Sequence, residues 1–134
     1  MKLIVIALIA AAFVLGIYFL AVSGGTPSNG SGLPSFVTLS PKIKEAYMFA
    51  DEHSEVLNGV ECYCGCMQHM HNGRIHKRGL LDCFKKEDGS YERHASACDM
   101  CINDALKVKE LYAQGMGKDD IRAKIGSQYM SLIY

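Results

Sequence analysis

The sequence predicts a mainly α protein: a small helical domain of about three helices with an irregular Cys/His-rich loop, preceded by an N-terminal transmembrane helix. Three observations carry this expectation. Residues 3–22 are an unbroken apolar run, and three later segments place apolar side chains at helical spacing. All six cysteines fall between Cys62 and Cys101, four of them in a stretch that follows neither the helix nor the strand period. The 134 residues carry 14 Lys+Arg and 14 Asp+Glu. Such a balance argues against a nucleic-acid partner, because phosphate binding needs a basic face.

The first element is the run Leu3 to Val22. Twenty residues at helical rise span about 30 Å, the thickness of one hydrocarbon core. A cleaved signal has a shorter apolar region, about 7–15 residues. Ala21-Val22-Ser23 has the small residues of a cleavage site, so residues 1–23 read as a signal anchor or a signal peptide, with the length favouring the anchor. Lys2 is the only charged residue before Lys42, which puts the N-terminus inside by the positive-inside rule. The expected location is therefore the cell membrane, with a single pass through residues 3–22 and the C-terminal domain outside the cytoplasm. Cleavage would make the protein secreted. No cysteine follows the apolar run, so no lipid-modified terminus is available there. Residues 24–35, rich in Gly, Ser and Pro, should form a flexible tether. The Cys-rich helical domain then covers 36–134.

Within it, Ser40-Pro41 reads as an N-cap followed by proline at the first helical position. Ile43, Ala46, Tyr47 and Ala50 continue the stripe, which predicts a helix over about 41–53. The segment from Val60 through Cys83 is expected to be loop or short strand. Lys85 to Ser90 should be an exposed turn with Asp88-Gly89 at its tip. Ser96 and Asp99 suggest a capping box, so a second helix should open near Ser96 and end at Gly115 and Gly117. A third helix over about 118–130 carries Ile121, Ile125 and Tyr129 on one face, and the two C-terminal helices should form a hairpin against the first.

The chemistry is concentrated in Cys62-Tyr63-Cys64-Gly65-Cys66. Alternate side chains of an extended chain share a face. A bend at Gly65 would instead let three sulfurs converge. Downstream, His76 precedes Cys83, and His94, Cys98 and Cys101 form H-x3-C-x2-C. Those three residues share one side at i, i+4 and i+7 if the second helix extends back one turn. The candidate ligands are thus Cys62, Cys64, Cys66, His76, Cys83, His94, Cys98 and Cys101. Eight candidates exceed one tetrahedral site, which leaves room for a dinuclear one. His69 and His71 read as solvated loop residues, and Met67, Met70 and Met100 as packing residues. Covalent haem needs C-x-x-C-H, but Ile102 follows Cys101, so c-type haem is excluded. Soft sulfur favours copper or zinc over magnesium or calcium, and we place copper first and zinc second.

These residues resemble the PCYCGC-motif family, small extracytoplasmic proteins of prokaryotes, many of them lipoproteins, whose biochemical role is not established. The likeness covers about 36–130 and includes the Cys62 to Cys66 run, Leu81-Asp82-Cys83-Phe84, and His94, Cys98 and Cys101. It also matches His76 to a histidine several residues before the fourth cysteine. Glu61 stands where the family's name-giving proline belongs. The resemblance implies the module and its compartment; it implies no reaction.

The first functional expectation is a membrane-anchored extracytoplasmic module that holds a soft metal ion in carriage, storage or electron transfer. A membrane or extracytoplasmic partner protein is expected for so small a chain. The alternatives are a thiol–disulfide oxidoreductase using Cys98 and Cys101, with the helix N-terminus activating Cys98, and a structural domain stapled by disulfides. No hydrolase motif is present, and the chain is read as more a binding protein than an enzyme.

Overall fold

The computed structural model describes residues 32–70 and 73–130. The expected membrane segment at 3–22, most of the expected tether, and His71 lie outside the described residues. Among the described residues no helix is long and apolar enough to cross a membrane.

The described chain is mainly helical. Four α-helices are α1 (Pro41–Glu52), α2 (Ser54–Leu57), α3 (Asp99–Ala113) and α4 (Lys118–Met130). Three 3-10 turns intervene, at Ser35–Thr38, Gly79–Cys83 and His94–Ala97. Pairing of the strand type among the described residues is limited to isolated bridges such as Lys85 with Tyr91.

α1 starts where the sequence places it. Ser40 Oγ accepts from the Ile43 amide at 3.2 Å, with Pro41 at the first position. Its stripe buries Ala46, Tyr47, Phe49 and Ala50. α3 packs against both α1 and α4. α3 ends in a Schellman motif: Gly115 N donates to Tyr112 O at 2.9 Å and Met116 N to Leu111 O at 3.2 Å, with Gly115 at φ +83°. Ile121 and Ile125 of α4 are fully buried. Tyr47, Leu57, Leu80 and Phe84 complete the centre of the core, and Tyr47 meets Phe84 edge to face with ring centroids 5.0 Å apart.

Two expectations are corrected. α3 opens at Asp99, not near Ser96, because Ser96 is otherwise engaged: its amide donates to Tyr47 Oη at 3.1 Å and its Oγ to Arg93 O at 2.8 Å. Cys98 is the N-cap residue instead, with extended backbone at φ −131° and ψ 101°. The Val60–Cys83 segment also holds a 3-10 turn at Gly79–Cys83, which is buried throughout.

Candidate metal centre

The Cys62–Cys66 run adopts the bent conformation rather than the extended one. Along an extended strand, alternate residues lie roughly 7 Å apart. Here Cys62 Sγ and Cys64 Sγ are 3.1 Å apart, and Cys64 Sγ and Cys66 Sγ 3.0 Å. Gly65, at φ +91°, makes the bend. Its carbonyl accepts from Gln68 N and His69 N, while Cys66 O accepts from His76 N at 3.1 Å. The same loop that gathers three thiols therefore draws His76 inward.

Cys83 is delivered by a second crossing. Gly59 N donates to Arg78 O, and Leu80 N donates to Val60 O at 2.7 Å. Between them Gly79 adopts φ +69°, and a Cβ there would stand 2.1 Å from Val60 O. No side chain fits at that position. Asp82 locks the turn that follows, accepting from Arg78 N at 2.8 Å and Arg78 Nε at 2.7 Å, while Arg78 Nη2 donates to Lys85 O. Cys83 Sγ then lies 3.5 Å from Cys62 Sγ, 3.6 Å from Cys66 Sγ and 3.3 Å from His76 Nδ1. Both Cys83 and His76 are buried.

The third contribution comes from the start of α3. Tyr47 Oη donates to Glu92 O at 2.6 Å and accepts from Ser96 N, so one buried hydroxyl brackets the turn that carries His94. His94 Nε2 reaches Cys64 Sγ at 3.4 Å, and its ring meets that of His76 edge-on at 5.3 Å. Cys101, fully buried in the first turn of α3, lies 3.6 Å from Cys62 Sγ and 3.8 Å from Cys64 Sγ. Cys98 is half-buried at the rim. His94, Cys98 and Cys101 thus converge as their spacing suggests, but by another backbone: a 3-10 turn, one extended residue, then helix.

Seven of the eight candidate ligands fall into compact donor sets; His76 is in none of them and reaches the cluster through its contact with Cys83 Sγ. Three sets of four donors have ligand atoms within 4.8 Å of one another: Cys62, Cys64, Cys83 and Cys101; Cys64, His94, Cys98 and Cys101; and Cys64, Cys66, Cys83 and His94. The sulfur–sulfur contacts of 3.0–3.8 Å far exceed a disulfide bond of about 2.05 Å. All six cysteines are free thiols, so the disulfide-stapled alternative has no bonded pair behind it. Four sulfurs about 2.3 Å from a metal would instead be separated by about 3.8 Å, the edge of the tetrahedron. The donors are soft sulfur and imidazole, and no carboxylate enters the three sets. That donor chemistry fits a thiophilic ion.

The thiols polarise one another. Hydrogen bonds from Cys101 and then Cys83 hold Cys62 down to about 2, and Cys64 is held down to about 4, chiefly by Cys83. Cys101 is pushed up by its bond to Cys62, and Cys83 by its bonds to Cys101 and Cys62. A thiolate beside a donating thiol is favoured, and a second thiolate beside the first is not. Added positive charge would offset that repulsion at Cys66, Cys83 and Cys101. His76 is shifted down by burial and by His94, which keeps its imidazole neutral and able to ligate.

An acid that the sequence did not single out, Asp104, stands behind the cluster with Tyr63 and with Tyr129, which the sequence places only on the core face of its helix. Asp104, in the buried stripe of α3, accepts from Tyr129 Oη at 2.8 and 2.9 Å. Tyr129 stacks on Tyr63 with centroids 4.1 Å apart and planes 16° apart. Tyr63 lies between two of the cysteines, so this stack ties α4 to the thiol loop. An acid at an inward position, three residues after Cys101, was the available signal. Met67 is a support rather than a ligand, its Sδ accepting from Cys62 N at 3.2 Å. His69 and Met70 are exposed.

Fold and site together define a small helical domain built around a polythiol cluster. The family described as proteins of unknown function with a PCYCGC motif matches residues 24–132, and the chain belongs to that family. No curated protein and no solved structure matches it.

Proposed function

We propose that this chain is a metal-binding module, held in a membrane by residues 3–22 with its Cys-rich domain outside the cytoplasm, that carries a soft metal ion. Copper is the first candidate and zinc the second. One observation carries the reading: six thiols and the His94 imidazole, drawn from three separated parts of the chain, form sets of four donors whose ligand atoms lie within 4.8 Å of one another, with no cysteine pair bonded as a disulfide. Thiolate favours Cu(I) and zinc over hard cations. Ion carriage is favoured over burial of a purely structural ion because Cys64, His94 and Cys98 remain partly exposed, which leaves a path for ligand exchange. The oxidoreductase reading has weaker support. Cys101 is fully buried and contacts Cys62 and Cys64, so Cys98 and Cys101 are not an isolated redox pair.

The test is paired, on the full chain extracted in detergent. Elemental analysis gives metal per chain, and thiol titration after denaturation with chelator gives the free cysteines. Stoichiometric copper or zinc with four or more titratable thiols is expected. No metal and no thiols, with a mass deficit of two hydrogens per bridge, would replace the reading with a disulfide-stapled domain.

A further inference from the structure

The eight donors do not form one symmetrical nest. Cys62, Cys64, Cys83 and Cys101 make a group of four sulfurs, of which Cys62, Cys83 and Cys101 are buried. Cys64, His94, Cys98 and Cys101 make a second group, in which only Cys101 is buried. Two residues, Cys64 and Cys101, belong to both groups, and their sulfurs are 3.8 Å apart. That separation equals the edge of a tetrahedron with metal–sulfur bonds of about 2.3 Å, and two tetrahedra can share an edge.

We propose that the cluster holds two metal ions bridged by the thiolates of Cys64 and Cys101. The inner ion is completed by Cys62 and Cys83, and the outer ion, at the rim, by His94 and Cys98. This rests on the metal-binding reading and deepens it. Electrostatics favours the pair over a single ion. The four thiolates of the inner group around one divalent ion leave a net charge of −2 in a largely buried site, whereas the five thiolates of both groups around two divalent ions leave −1. The second cation thus offsets repulsion that burial would otherwise magnify. Each ion displaces the protons of the thiols that it takes, and these leave to solvent. The third group, Cys64, Cys66, Cys83 and His94, borrows Cys83 from the inner ion and His94 from the outer one. It is therefore an alternative to the pair and not an addition. Cys66 and His76 then serve Cys83, which they touch at 3.6 and 3.3 Å, as hydrogen-bonding neighbours that orient its sulfur.

The two positions should differ in chemistry. The inner one is all sulfur, with three of its four cysteines buried. The outer one has three sulfurs and one nitrogen and lies next to exposed Asp99 and Met100. Exchange with solvent or with a metal donor therefore begins at the outer ion.

Cadmium-113 is the probe that separates these states. The full chain, in detergent, is loaded with cadmium(II) and studied by elemental analysis and cadmium NMR. Two ions per chain are expected, with two resonances split by mutual coupling through the bridging sulfurs. The all-sulfur signal should lie downfield of the one with nitrogen. His94→Ala and Cys98→Ser should each reduce the stoichiometry from two to one and erase the upfield signal, with far-UV circular dichroism unchanged. One ion with one resonance, two uncoupled resonances, or loss of both ions from a folded Cys98→Ser chain would overturn the bridged pair while leaving metal binding intact. A folded wild-type chain that takes up no cadmium would overturn the metal-binding reading itself.

Discussion

The donors on the loop and the donors at the start of α3 are held in different ways. Cys62, Cys64, Cys66, His76 and Cys83 depend on two glycines with positive φ and on a few backbone hydrogen bonds between segments. Cys101 depends on a fifteen-residue helix whose buried face packs against α1 and α4, and His94 depends on the Tyr47 hydroxyl beside it. A helix buried along one face keeps its shape by packing. A loop that presents several thiols to one point carries the entropy of its ordering and the repulsion of its thiolates, and both are relieved by a cation. The difference implies that α3 is the preformed half of the site and that, on the proposed metal-binding reading, the loop is the half an ion would complete.

The largest effect should come from removing the metal. Chelation is expected to raise amide hydrogen exchange across residues 61–83 by about two orders of magnitude, while amides of α3 change by less than about tenfold. Equal loosening of both regions would erase the distinction. Next, Gly79→Ala attacks the loop alone, setting a Cβ against Val60 O in a left-handed backbone. A destabilisation of about 2–5 kcal/mol in urea unfolding is expected, together with weaker metal retention. Tyr47→Phe attacks the helix side. It leaves the Glu92 carbonyl and the Ser96 amide without their partner and should cost about 1–3 kcal/mol, with metal loss concentrated at His94.

The smallest effect is a pH dependence from the acid behind the cluster. Burial raises the Asp104 carboxyl from 3.8 to about 6, with the sulfurs of Cys62 and Cys64 adding to the shift against the lowering effect of Tyr129. The folded state therefore holds this proton more tightly than the unfolded state does. Its contribution is full below about pH 4 and is lost as pH rises through about 6. In the metal-free chain that loss should be about 1–2 kcal/mol after allowance for solvent screening. Urea unfolding of wild type and Asp104→Asn at pH 4 and 7 should show the slope flatten in the variant.

Local chemistry made much of the fold legible. Ser40-Pro41, the Ile121 and Ile125 stripe, Gly115 and the Asp88-Gly89 turn each act through neighbours in sequence, and each stands where the residues put it. The 3-10 turns and the late start of α3 were not legible, because distant partners set them: Val60 O for Gly79 and Tyr47 for Ser96. The site divides along the same line. Gly65 and the spacing of His94, Cys98 and Cys101 signalled convergence, although the backbone before Cys101 differs from the continuous helix expected. Asp104, Tyr129 and Tyr63 join residues from α3, α4 and the loop. The inward positions of Asp104 and Tyr129 were legible one by one, but their pairing across elements was not.

Whether the clustered sulfurs coordinate a metal is read out by X-ray absorption at the edge of the metal found in the purified full chain. A first shell dominated by sulfur at about 2.3 Å, with a minor nitrogen component, is expected. A first shell of oxygen and nitrogen alone would place the ion elsewhere and contradict that coordination.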